Sequence, residues 1–153
     1  IYAYTFAAPC ATRADDRHDP RFGNIFNVVN EADIVTQLPL SSWGFGRYGS
    51  TITLPSTVSV DFDDSYAIVQ TAYQRNTGYA LGCDEDDFAT LSTFGSTAST
   101  RVPMLDALVS PLGIVGAVQS LLGLDLSAAL TAHYPDTYIA WMQAGAADQP
   151  ASA

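Results

Sequence analysis

Asn24-Ile25-Phe26-Asn27-Val28-Val29-Asn30-Glu31-Ala32-Asp33-Ile34-Val35-Thr36-Gln37-Leu38-Pro39 is the stretch that decides the fold. Ile25 to Val29 is a short apolar run of the length of a buried strand. Asn30-Glu31-Ala32-Asp33 ends it and delivers a carboxylate to the chain just beyond the strand. Ile34, Val35 and Leu38 anchor the next segment, and Pro39 closes it. Open α/β sheets keep their working groups at the carboxyl ends of strands, which makes Asp33 a candidate site residue. The plainer reading is that Asp33 caps a turn, a position Asp favours in any fold.

The chain has 153 residues, of which 48% are hydrophobic and 14% charged, enough apolar material for one domain with a core. All six basic residues other than histidine are Arg, and a formal net charge of −10 argues against binding nucleic acid through its phosphates. Cys10 and Cys83 allow one disulfide or two buried thiols, and the compartment stays open. The longest apolar tract, Val102 to Leu130, is broken by Pro103, Asp106, Pro111 and Asp125 and does not span a membrane. The chain opens at Ile1 directly on a strand-like segment, with no signal peptide, and reads as the interior of a larger protein.

Upstream of the deciding stretch, Ile1 to Phe6 is rich in β-branched and aromatic residues and reads as a strand. The polar loop Arg13 to Pro20 links the two strands. Downstream, Trp43 to Gly49 is a Gly/aromatic turn segment, and Ser50 to Leu54 alternates like a half-buried strand. Val58 to Gln74 reads as a strand (Val58, Val60, Phe62) passing into a helix near Asp64, with Tyr66, Ile68, Val69 and Tyr73 inward. Asp84 to Asp87 begin another helix, their charges suiting the positive end of its dipole. These acids, like Asp61, Asp63 and Asp64, lack the spacing of a calcium loop. Leu105 to Leu122 has a near-helical apolar period that Leu124 to Leu130 continue, either as plain core or as a mobile cover over an apolar pocket. Thr137 to Gln143 is a short helix, and Ala144 to Ala153 a frayed tail.

His133, one of only two histidines, stands at a loop-to-helix junction and not inside an apolar face. An isolated histidine is commonly structural. An Asp after a strand, followed by a His near the C-terminus, nevertheless keeps the order Ser…Asp…His of α/β-hydrolases. There the carboxylate orients the imidazole, which carries the proton of a serine hydroxyl to the leaving group.

The chain resembles the C-terminal half of a class 3 (fungal-type) lipase. Tyr2 to Pro9 is similar to that family's strand ending in a Gly-x-Pro or Ala-Pro turn. Phe22-Gly23-Asn24 through Pro39 resembles its catalytic-aspartate block, of the type Asn-Asp-Ile-Val-Pro-x-Leu-Pro. Trp43-Gly44-Phe45 and Tyr48-Gly49 resemble the aromatic/Gly turn that follows. His133 to Ile139 resembles the catalytic-histidine block, in which a Tyr follows the His by a few residues. The resemblance covers residues 1–54 and 131–143; 55–130 has no counterpart and is expected to be an insertion, a cap or lid, with 144–153 as a tail. It implies an α/β fold, the C-terminal half of an α/β-hydrolase, with a mostly parallel sheet flanked by helices and a helical insertion. Asp33 would be the orienting acid and His133 the general base in hydrolysis of carboxylic esters or lipids. No metal or organic cofactor is implied; if 55–130 forms a lid, its Leu/Val surface from 102 to 130 would meet lipid or acyl chain when open.

One part of that family's pattern is missing: the sequence holds no Gly-x-Ser-x-Gly, and Gly49-Ser50-Thr51 and Gly95-Ser96-Thr97 both lack the second glycine. In the family the nucleophile elbow and first oxyanion-hole loop precede the Asp and His. The serine is therefore expected in an N-terminal half, as a companion chain or a segment lost by processing, without which this chain is inactive. The alternative is a non-catalytic binding or interaction module that kept the scaffold. Cys10 also stands where the family often has a positively charged residue.

Overall fold

Ile25–Val29 forms the central strand of a small parallel sheet. The structure, a computed structural model, describes residues 1–55, 59–101 and 125–147. The strands are β1 (Ala3–Phe6), β2 (Thr12–Arg13), β3 (Ile25–Val29), β4 (Phe45–Gly46) and β5 (Ser50–Thr53). β1, β3 and β5 lie side by side in that order, all parallel, with Tyr4 beside Phe26 and Val28 beside Ile52. β2 and β4 pair as a two-residue antiparallel ribbon. Five described helices follow: α1 (Phe62–Thr77), α2 (Glu85–Ser92), α3 (Phe94–Arg101), α4 (Leu126–His133) and α5 (Pro135–Ala147). The fold is thus mixed α/β, but its described helices come after the sheet in sequence. The parallel crossovers are made by turns, short 3-10 segments and the ribbon, where helices are the usual device.

The core sits among the helices and the loop beyond β3. Phe62, Tyr66, Phe88 and Trp141 meet with ring centroids 5.0 to 6.3 Å apart. Such pairs each add about 0.5–1.5 kcal/mol beyond the area they bury. Ala32 and Leu40 from the loop, and Ala128, Ala129 and Ala132 from α4, belong to the same cluster. Helices between 62 and 101, within the stretch read from sequence as an insertion, are therefore integral to the core that carries the loop. Residues 102–124, most of the expected apolar cover, lie outside the described residues, as does the end of the tail, 148–153.

α1 corrects one expectation. Val60 is fully exposed, and Phe62 is already the first, buried residue of the helix. Phe62, Tyr66, Val69 and Tyr73 recur at helical spacing on the buried face, whereas Ile68 points outward. Val58, the first of the three alternating residues, lies outside the described residues, and three residues were too short a sample to distinguish the two periods. α2 starts as expected, with Asp84 and Asp87 forming a reciprocal capping box. α5 is longer than the expected 137–143, opening on Pro135, a residue suited to the first helical turn. Cys10 and Cys83 are both free and buried. Burial pushes the Cys83 thiol up to about 11 and raises Cys10 as well, against the nearby charge of Arg47.

Of the strands in the sheet, only β3 has both edges paired among the described residues. Tyr2 and Tyr4 are 73% and 63% exposed, and all four residues of β5 are exposed. The half-buried alternation expected of Ser50 to Leu54 is absent because no described element covers that part of the sheet. β5 enters the sheet through Gly49, at φ 80, where an added Cβ would lie 2.2 Å from the Ile25 carbonyl oxygen. Gly49→Ala is expected to cost roughly 2–4 kcal/mol in urea unfolding, from strain and a backbone clash. Gly44→Ala, also at positive φ but in open space, should cost only about 1 kcal/mol.

Candidate active site

The turn after β3 is built around two buried polar side chains, Asn30 and Asp33. Asn30 Oδ1 accepts from Ala32 N at 3.1 Å, a local turn typical of Asn. Its Nδ2 donates to the Ala132 carbonyl at 3.2 Å, which ties the end of β3 to the residue before His133. Asp33 N returns to the Asn30 carbonyl at 3.0 Å. Each of these bonds fixes where the Asp33 carboxylate points.

Asp33 does cap a turn: Oδ1 accepts from Val35 N at 3.0 Å at the start of the 3-10 segment Ile34–Gln37. It also does more. Nδ1 of His133, one hundred residues away, lies 3.1 Å from Oδ1 and 3.0 Å from Oδ2. The Tyr138 hydroxyl donates to Oδ2 at 2.7 Å while accepting from Asn30 N at 3.1 Å. The Asp33 side chain is 0% exposed and that of His133 35% exposed. A carboxylate accepts only, so Nδ1 carries a proton, and neutral His133 keeps its lone pair on Nε2. An imidazole held at Nδ1 by a buried carboxylate, with about a third of its side chain exposed, is arranged to take and return a proton.

α4 and α5 are joined with almost no linker, and this places the imidazole. His133 is the last residue of α4, Tyr134 is extended, and Pro135 opens α5. Thr137 Oγ1 donates to the Thr131 carbonyl at 2.6 Å across that corner. The corner sets His133 and Tyr138 on the same carboxylate. Burial and the adjacent Asp33 carboxylate both raise the Tyr138 phenol well above its ordinary range, so it remains a donor.

The two candidate residues named from sequence thus meet. Tyr138 and Asn30 were missed as members of the site. Tyr138 had one signal, the Tyr that follows the His by a few residues in the block that His133 to Ile139 resembles; Asn30 read only as the end of a strand, and its distance in sequence from Ala132 and Tyr138 left no local signal. No group of three or more His, Cys, Asp or Glu among the described residues forms a metal site. No protein-family model, curated protein or solved structure matches the chain.

Tyr138→Phe removes a donor from Asp33 and the acceptor of Asn30 N. It is expected to destabilise the protein by about 1–3 kcal/mol. Tyr134→Phe, on an exposed ring, should stay within about 0.5 kcal/mol. Denaturant unfolding of both variants checks the pair.

Proposed function

We propose that this chain supplies the acid–base pair of a serine ester hydrolase, as the C-terminal half of an α/β-hydrolase domain. The observation that carries the reading is the contact of the His133 Nδ1 with the buried Asp33 carboxylate at the carboxyl end of a parallel strand. In this mechanism Nε2 of His133 removes the proton of a serine hydroxyl as its oxygen attacks the ester carbonyl. Asp33 holds the ring and stabilises the imidazolium so formed. The imidazolium then gives the proton to the departing alcohol, leaving an acyl-enzyme that water hydrolyses by the same relay. The resemblance to class 3 lipases supports carboxylic esters, lipids included, as substrates.

The nucleophile lies outside the 153 residues on this reading, since no Gly-x-Ser-x-Gly occurs among them. Its carrier is a further segment of the same hydrolase, whose strand would pair with the edge of β1 that is unpaired among the described residues. Tyr2, Tyr4 and Phe6, on or beside β1, and Ile139 and Met142, which share a pocket with Phe6, leave apolar surface exposed. An open edge of this kind is ordinarily paired or covered. The same missing serine favours the second reading, a binding module on a hydrolase scaffold, and one experiment separates them. The native material is treated with a fluorophosphonate and its polypeptides weighed under denaturing conditions. A label on a second polypeptide, lost to about 10⁻⁴ of its rate with His133→Ala, supports the hydrolase; label on no polypeptide leaves the module.

A further inference from the structure

Six arginines and two histidines face sixteen acids in this chain, yet three of those eight side chains line one cleft. Arg17, His18 and Arg47 border a space of about 440 Å³, together with Ser41, Ser50 and Thr51. A second space of about 530 Å³ adjoins it, sharing Cys10, Ser41, Arg47 and Thr51. Among the described residues Glu31, in the second space, is the one carboxylate on either wall, and neither Asp33 nor His133 lines them.

Arg47 is held in position without being neutralised. Its Nε donates to the Ala8 carbonyl at 2.6 Å, which sets the plane of the guanidinium. Among the described residues no carboxylate lies within 4.0 Å of Arg47 or Arg17; the ion pairs are Arg21–Asp19 and His133–Asp33. Exposed Arg21, by contrast, is gripped by both oxygens of Asp19 at 2.6 to 3.0 Å. The protein thus pairs an arginine that water would serve, while among the described residues no carboxylate pairs with the half-buried Arg47. Removing a charge from water without a counter-ion is costly. The Arg47 charge is felt as far as Cys10 and Tyr138, opposing the burial that raises both. Arg17 is in turn steadied by His18, whose Nε2 accepts from Arg17 Nε at 3.0 Å.

We propose that this cleft binds a small oxyanion, the carboxylate or phosphate of a small molecule. The free arm of the Arg47 fork takes two oxygens, which its planar donor geometry suits. Arg17 adds a second positive charge from the outer wall, and the Ser41 and Thr51 hydroxyls supply neutral donors. The site is independent of the hydrolase reading and exists in the chain itself.

NMR titration of the chain with sodium phosphate, and separately with sodium acetate, tests this at ionic strength held constant with sodium chloride. The expected result is saturable movement of the Arg47 Nε–H signal and of the Ser41 and Thr51 amides, with half-saturation on the order of 1 mM. Arg47→Gln should weaken it about tenfold or more, and Arg17→Ala, at an exposed position, about threefold. Saturation by phosphate alone identifies a phosphate site, by acetate alone a carboxylate site, and by both a general oxyanion site. Non-saturating shifts equal to those in chloride overturn the proposal, as does saturable binding that Arg17→Ala leaves unchanged.

Discussion

A carboxylate with no access to water must be supplied with donors by the protein, and Asp33 receives them from three parts of the chain. Val35 N comes from the next turn, Nδ1 of His133 from the end of α4, and the Tyr138 hydroxyl from the second turn of α5. Asn30 closes the arrangement, with its backbone N–H on Tyr138 and its amide on the Ala132 carbonyl. The strand, the loop and the last two helices are therefore held to one group. Loss of any donor is felt by the others, because a buried polar network is stabilising only when every member is satisfied.

The apolar core reinforces this constraint without supplying its specificity. Ala32 stands one residue before Asp33, Ala132 one before His133, and Ala140 two after Tyr138, all fully or nearly fully buried. Small residues there let the loop and the two helices approach closely enough for hydrogen bonds to form between them. The aromatic cluster of Phe62, Tyr66, Phe88 and Trp141, from α1, α2 and α5, then backs the assembly. The sheet contributes little to this core: its outer strands are largely exposed, and its role is to present the turn after β3.

Local pattern was enough for the features that depend on neighbours in sequence. The run Ile25 to Val29 became the strand with those bounds, Asp33 the turn beyond it, and Asp84 the cap of α2. His133 and Asp33, a hundred positions apart, were paired in advance by the family resemblance and its Asp…His order, not by local pattern. What local pattern could not carry was tertiary. The buried roles of Tyr138 and Asn30 arise only when α5 turns back onto β3. The outward faces of β1 and β5 depend on what covers the sheet, which alternation in Ser50 to Leu54 does not encode. Arg47 looked like one residue of a turn, and its significance comes from Ala8, brought beside it by the ribbon and the end of β1.

The most direct test of the account is the tautomer of His133, read from long-range ¹H–¹⁵N correlation spectra of the chain at a pH where the ring is neutral. Orientation by Asp33 predicts a proton on Nδ1, shielded from exchange, and an unprotonated Nε2, with that preference lost in Asp33→Ala. A proton on Nε2, or a tautomer mixture that Asp33→Ala leaves unchanged, would contradict it and remove the acid–base pair on which the functional reading stands.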